Sequence, residues 1–403
     1  MSVIVRSSYL EYIVKRLNRG MMLILVGQRR VGKSYMLQQL QSWLKKNAAG
    51  SKVLYIDKEL QEFRSIRTSD DLYDYVIKKL PAKGKNYLLI DEVQDIDSYE
   101  NALRSLHAEK RCQIVATGSN AYVFSTELST RLSGRYIEIP IHSLSYREFL
   151  TFHQLENNDK SLLSYLKVGG MPGLRHFDLK DEDQIRDYLQ GVYNTVMMRD
   201  VVTREEVRNV SFLENLSKFI AENTGKLISM RNIANTMKSH GEKITDMLTS
   251  AYIRHLCGAF IISAVPRYDI HGKRLFEQNY KYYFADHGLR NLLCGFNIRG
   301  GIEKIIENVV WNYLSEQGFR VTVGILRSAE IDFVATRGDE TVYVQATYLL
   351  GSQETIQREF GHLAAIKDNY AKYVVSMDPV SGELPEYPGI RHVHLRDFLT
   401  TDL

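Results

Sequence analysis

Along the first ~150 residues, short apolar runs alternate with stretches whose hydrophobic residues recur at three- and four-residue spacing. The runs fall at 22–26, 53–57, 87–91, 113–117 and 136–139. Between them Met36, Leu37, Leu40, Trp43 and Leu44 form one apolar helix face, and Leu103 with Leu106 marks another. Strands that alternate with amphipathic helices imply a mostly parallel sheet covered on both faces, the doubly wound nucleotide-binding architecture. From about 146 to 203 only helical spacing remains, broken at Gly169-Gly170-Met171-Pro172-Gly173, which predicts a turn. Residues 206–290 read as three helices and a strand pair. Phe212, Leu213, Leu216, Phe219 and Ile220 mark the first helix, Ser229 caps the second, and the third (244–256) leads into strand 259–265. After a loop with His271-Gly272-Lys273-Arg274 comes the aromatic strand 280–284, an order that matches a winged helix. The last stretch returns to mixed α/β: helices at 302–316 and 354–366, and strands at 321–323, 331–335, 342–347 and 373–376.

This pattern predicts an α/β protein of four parts: a nucleotide-binding core at 1–145, a helical lid at 146–205, a winged helix at 206–295 and a carboxy-terminal α/β domain at 296–403. The length of 403 residues agrees, since one hydrophobic core does not extend that far. Hydrophobic content of 44% and charged content of 25% exclude a mostly disordered chain. A net charge of +4 permits nucleic-acid binding without requiring it. Cys112, Cys257 and Cys294 are odd in number and far apart, which argues against a disulfide framework or zinc spacing and for a reducing, cytoplasmic setting. The amino terminus lacks a signal-peptide core, and the apolar stretch at 21–26 is far short of the roughly 20 residues of a membrane span. No membrane partner is expected.

Candidate chemistry begins at Gly27-Gln28-Arg29-Arg30-Val31-Gly32-Lys33-Ser34, followed by Tyr35. Glycines at this spacing, behind a strand and opening a helix, let backbone N–H groups curl around phosphate while the helix presents its positive end. Lys33 is expected to reach the β- and γ-phosphates of ATP, and the Ser34 hydroxyl to ligate Mg2+. The run Tyr87-Leu88-Leu89-Ile90-Asp91-Glu92 ends in two carboxylates, Asp91 for the metal and Glu92 to activate water.

With these motifs the chain resembles the AAA+ class of P-loop ATPases, and more narrowly a prokaryotic, archaeal-type, STAND-adjacent family in which the ATPase precedes a nuclease-like carboxy-terminal domain of unknown function. Further residues carry the resemblance: Leu89 to Gln94, Ala116-Thr117-Gly118-Ser119-Asn120, Leu132-Ser133-Gly134-Arg135-Tyr136, Leu144-Ser145-Tyr146-Arg147-Glu148-Phe149, the Gly169-Gly170-x-Pro172 turn, and Glu307-Asn308. The resemblance implies that Ser119 or Asn120 senses the γ-phosphate. It also implies that Arg135, or Arg131, acts as an arginine finger in a homo-oligomer. No lid residue stands out as a second sensor.

Resemblance to PD-(D/E)xK nucleases implies a helix carboxylate at Glu307 and strand carboxylates at Glu330 and Asp332. However, Gln345 stands where a metal-binding carboxylate is needed and Thr347 where a lysine is needed. A neutral amide is a weak magnesium ligand, so a nuclease-like fold without nuclease activity is expected. Lys238, His240, Lys243, Arg254, Arg267, Lys273 and Arg274 cluster around the winged helix, interrupted by Glu242, Asp246 and Asp269. They make DNA a candidate partner. The expectation is a Mg-dependent ATPase that couples nucleotide state to rearrangement of the other domains. Alternatives are an ATP-gated nuclease using Glu307, Glu330, Asp332 and an unrecognised lysine, or a nucleotide-switched scaffold with negligible turnover.

Overall fold

Strands buried on both faces read as apolar runs; in the first unit the three inner strands are of this kind, and the two edge strands are only partly buried. The computed structural model describes residues 4–120, 134–239, 245–327, 329–379 and 382–403, which divide into a unit of 1–143 with 258–260 and a unit of 144–257 with 261–403. The first unit runs α1 (Ser7–Val14), β1 (Met22–Val26), α2 (Lys33–Asn47), β2 (Lys52–Asp57), α3 (Ser69–Lys79), β3 (Asn86–Asp91), α4 (Tyr99–Ala108), β4 (Gln113–Gly118) and β5 (Tyr136–Pro140). All pairings are parallel, in the order β2-β3-β4-β1-β5. Alternate residues of the fully buried β1 face opposite cores. Met22, Ile24 and Val26 join Leu88 and Ile90, while Leu23 and Leu25 join Leu89, Val115 and the Met36, Leu37, Leu40 and Leu44 face of α2.

Because β4 lies between β1 and β3, the carboxyl ends of all three meet at one edge, the place where open α/β sheets bind ligands. The segment after β1, the carboxylates ending β3 and the residues after β4 therefore converge. The register sets Leu25 beside Thr117 and Ile90 beside Ala116.

The second unit begins with α5 (Tyr146–His153), α6 (Asp159–Val168), α7 (Glu182–Thr195) with a π-helical turn (Val196–Thr203), α8 (Val210–Glu222), α9 (Met230–Ser239) and α10 (Asp246–Gly258). It continues through β6 (Ile262–Asp269), β7 (Arg274–Phe284), α11 (His287–Cys294), α12 (Ile298–Glu316), β8 (Arg320–Leu326), β9 (Ala329–Arg337), β10 (Glu340–Ala346), α13 (Gln353–Ala364), β11 (Ala371–Ser376), β12 (Gly382–Glu383), β13 (Ile390–His394) and α14 (Leu395–Phe398). Ser145 and Glu148 form a capping box at α5, and Ser229 Oγ accepts from Asn232 N at α9, so local chemistry starts both helices.

One feature of the sheet was not legible in the chain. The β6–β7 hairpin, expected to close a winged helix at 206–295, is the edge of an eight-stranded mixed sheet of order β12-β13-β11-β10-β9-β8-β6-β7. β6 pairs parallel with β8 from Arg267↔Val323 to Asp269↔Ile325, so one sheet runs across position 295. Two buried polar residues tie these parts together. Asp286 accepts from the N–H groups of Gly170, Gly288 and Leu289, anchoring the Gly169-Gly170 turn to α11. Asn308 accepts from Phe284 N at 2.9 Å and donates to Phe284 O at 2.8 Å, completing the backbone pairing at the end of β7. Among the described residues no helix is long and apolar enough to cross a membrane.

Candidate nucleotide site

The loop between β1 and α2 is shaped by its glycines. Gly27 has φ +147°, and a Cβ there would lie 2.3 Å from the Ile141 carbonyl oxygen. Gly32, φ +100°, is the left-handed residue from which α2 starts. Val31 is buried and its carbonyl accepts from Arg6 Nη1 at 3.1 Å. Lys33 is buried and its ammonium donates back to the carbonyls of Gly27 (2.9 Å) and Gln28 (3.0 Å). Gln28 is only 2% exposed, yet neither polar atom of its side chain has a hydrogen-bond partner among the described residues. Buried polar atoms are normally satisfied, so this orphaned amide fits a loop shaped for a polar guest. Arg29 is buried with Nη1 3.9 Å from Glu59, whereas Arg30 and Tyr35 are exposed.

At the end of β3, Asp91 is 2% exposed, and burial pushes its carboxyl above the ordinary range against the pull of hydrogen bonds from Thr117 and Ser34. Ser34 and Asp91, expected to share a magnesium ion, are thus in contact. Hydroxyl and carboxylate oxygens are donors that magnesium takes, so these residues fit the ion. Thr117, within the Ala116 to Asn120 motif but with no role expected from the sequence, joins the cluster. Its hydroxyl donates to Asp91 Oδ1 at 2.5 Å and accepts from Glu92 N at 2.8 Å. Glu92 is buried and its backbone is left-handed (φ 53°, ψ 55°). Its Oε2 accepts from Gln94 Nε2, which also lies 3.4 Å from Ser119 Oγ. Ser119 and Asn120 are both buried beside this cluster. Arg135 lies on an exposed position leading into β5, and Arg131 falls outside the described residues.

A second polar cluster lies in the other unit. Lys281, 2% exposed on β7, directs its ammonium at Glu307 of α12 (2.6 Å) and at Glu330 (2.8 Å) and Asp332 (3.3 Å) of β9. The cation of this cluster thus comes from β7, earlier in the chain than the three carboxylates it meets. Its alternation with Tyr283, on the same side of β7, was the available signal. Burial pushes the Glu307 carboxyl up to about 7, against the pull of Lys281. Gln345 uses both ends of its amide: Oε1 accepts from Asp332 N at 2.6 Å and Nε2 donates to Glu359 at 2.8 Å. Thr347 is buried. Among the described residues no three His, Cys, Asp or Glu side chains are disposed to hold a metal ion, and an ammonium sits among the carboxylates. These residues do not fit a metal.

Of the basic positions expected to form a winged-helix face, Lys238 lies 3.9 Å from Asp246 and Arg274 lies 3.7 Å from Asp269. The Arg267 and Arg274 guanidinium groups lie over the Phe276 ring. Arg254 and Lys273 are exposed, while His240, Glu242 and Lys243 fall outside the described residues.

A five-stranded parallel sheet of this order, with a phosphate loop after β1 and Asp-Glu ending β3, defines a P-loop ATPase of the AAA+ class, and residues 19–150 match the AAA domain family. Residues 159–299 match a domain of unknown function, DUF8612. The chain belongs to the same family as an uncharacterized protein of Haemophilus influenzae, to which it is 32% identical over 99% of both chains. An uncharacterized protein of Methanocaldococcus jannaschii is 26% identical over 86% of this chain and 78% of its own. Among solved structures, a Walker-type ATPase of Pyrococcus abyssi is similar over 71% of this chain and 94% of its own, at 18% identity and a TM-score of 0.49.

Proposed function

We propose that the protein is a magnesium-dependent, cytoplasmic ATPase that acts as a homo-oligomer on DNA, its nucleotide state altering the arrangement of residues 146–205, 206–295 and 296–403. The convergence of Lys33, Ser34, Asp91 and Glu92 at the carboxyl ends of β1 and β3, beside the unsatisfied amide of Gln28, carries this reading. Lys33 leaves its loop carbonyls to bind the β- and γ-phosphates, and the N–H groups of 27–34 cradle them together with Tyr35 at the head of α2. Ser34 and Asp91 hold the magnesium ion, which when bound neutralises charge on the phosphate oxygens. Glu92 accepts a proton from the attacking water, and Ser119 or Asn120 contacts the γ-phosphate. Arg135 reaches the nucleotide of a neighbouring subunit, a contact worth 10³ to 10⁵ in rate where it has been measured.

The carboxy-terminal domain is read as nuclease-like and non-cleaving. Lys281 already neutralises part of the acidic cluster, and Gln345 replaces the carboxylate that a metal would need. DNA contact falls to the exposed cations of 206–295, Arg254 and Lys273 among them. The test is the ATP turnover rate of the full chain, with and without DNA, across protein concentration. The expected result is a rate that rises with concentration, rises further with DNA, and loses its concentration dependence in Arg135→Ala. Stoichiometric ATP trapping without repeated phosphate release would instead identify a nucleotide-switched scaffold. Metal-dependent DNA cleavage lost in Asp332→Ala would identify a nuclease.

A further inference from the structure

Gln94 lies in the short 3₁₀ turn Val93–Asp95, two residues beyond Glu92. Its Nε2 donates to Glu92 Oε2 and lies 3.4 Å from Ser119 Oγ, while its Oε1 is buried with no hydrogen-bond partner among the described residues. Turning the amide over would set an oxygen against the carboxylate, so Glu92 itself fixes which end faces it. Glu92 is therefore held at two points. Thr117 Oγ1 accepts from its N–H at 2.8 Å and fixes the left-handed backbone, and Gln94 fixes one carboxylate oxygen.

We propose that Gln94 is a positioning residue for ATP hydrolysis: its amide sets the orientation of Glu92 and joins that carboxylate to Ser119, so a change at Ser119 is transmitted to the base. The inference rests on the ATPase reading above. In the step it serves, the water oxygen bonds to the γ-phosphorus and the bond to the β–γ bridging oxygen breaks. The water's proton passes to Glu92, and ADP and inorganic phosphate leave. An amide is suited to the task because it orients a carboxylate by donation without competing for the proton. The unsatisfied Oε1 is the trace of a residue placed for this contact rather than for burial, since buried acceptors are otherwise paired.

The test uses the full chain carrying Gln94→Ala or Gln94→Asn, with ATP affinity by calorimetry and steady-state turnover. Gln94→Ala is expected to lower kcat about tenfold or more while leaving the ATP Kd within about twofold. Gln94→Asn, a shorter amide, is expected to recover part of the rate. Unchanged kcat in Gln94→Ala, a raised kcat, or a fall in kcat matched by loss of ATP affinity would overturn the proposal. Wild-type protein that binds no ATP would overturn the ATPase reading itself, a result seen in the calorimetry before any variant is compared.

Discussion

Replacing Lys281 by methionine keeps much of the side chain's length and removes only the ammonium, which tests whether this buried charge holds the second unit together. Lys281 is 2% exposed and faces Glu307, Glu330 and Asp332 at 2.6, 2.8 and 3.3 Å. Breaking a buried pair by deleting one partner costs about 3–5 kcal/mol, because the remaining charge is left desolvated. The loss is not uniform in pH. The Glu307 carboxyl already stands at about 7 against an ordinary 4.5, so the folded state binds its proton more tightly than the unfolded chain does. The stability this group contributes is complete below 4.5 and is lost as pH rises through about 7, a span worth about 3 kcal/mol. Without Lys281, which pulls that carboxyl down, the loss extends to higher pH. Lys281→Met is therefore expected to cost about 3–5 kcal/mol at pH 8 and much less near pH 5. Adding Glu307→Gln, which removes the stranded charge, is expected to restore a large part. Trp311 stacks on Tyr283 with ring centroids 5.6 Å apart, and the Tyr283 hydroxyl donates to Glu307 at 2.5 Å. Urea unfolding followed by Trp311 fluorescence in a Trp43→Phe background reads this unit. A loss below about 1 kcal/mol at pH 8, or a double variant weaker than the single, would refute the assignment of the lysine as the cluster's structural cation.

Other outcomes follow from the same contacts. Lys33→Ala is expected to abolish ATP binding measured by calorimetry, because it removes the buried ammonium that the Gly27 and Gln28 carbonyls hold within the loop. Glu92→Gln is expected to retain ATP while phosphate release slows by about 10² or more. Equal turnover would remove Glu92 from its role. Asp286→Ala leaves the N–H groups of Gly170, Gly288 and Leu289 without their acceptor and is expected to cost about 2–4 kcal/mol in chemical denaturation. Burial pushes the Cys112 and Cys257 thiols up to about 12, so native protein at pH 8 is expected to resist iodoacetamide at both, with rapid labelling only in denaturant.

What the sequence determined by itself was whatever contiguous residues encode. The inner strands of the first unit were legible because strands buried on both faces are largely apolar, and β1 falls at 22–26 as the pattern requires, while the partly exposed edge strands β2 and β5 kept enough apolar residues to show. The phosphate loop was legible because it is a single turn whose glycines, lysine and serine act on one ligand from adjacent positions. Boundaries were less distinct: α12 begins at Ile298, capped by Asn297, four residues before the apolar spacing announces it, and the half-buried β13 carried no clear alternation. Only the tertiary structure decided contacts between distant segments. Gln94 reaches Ser119 because β3 and β4 are neighbours in the sheet, an order that crossovers set and periodicity does not record. Lys281 meets its three carboxylates because the β6–β7 hairpin joins the sheet beside β8, which brings residues 281, 307, 330 and 332 together. An ion pair depends on distance in space, and strand pairing fixes that distance after the local pattern has been spent on forming the strands.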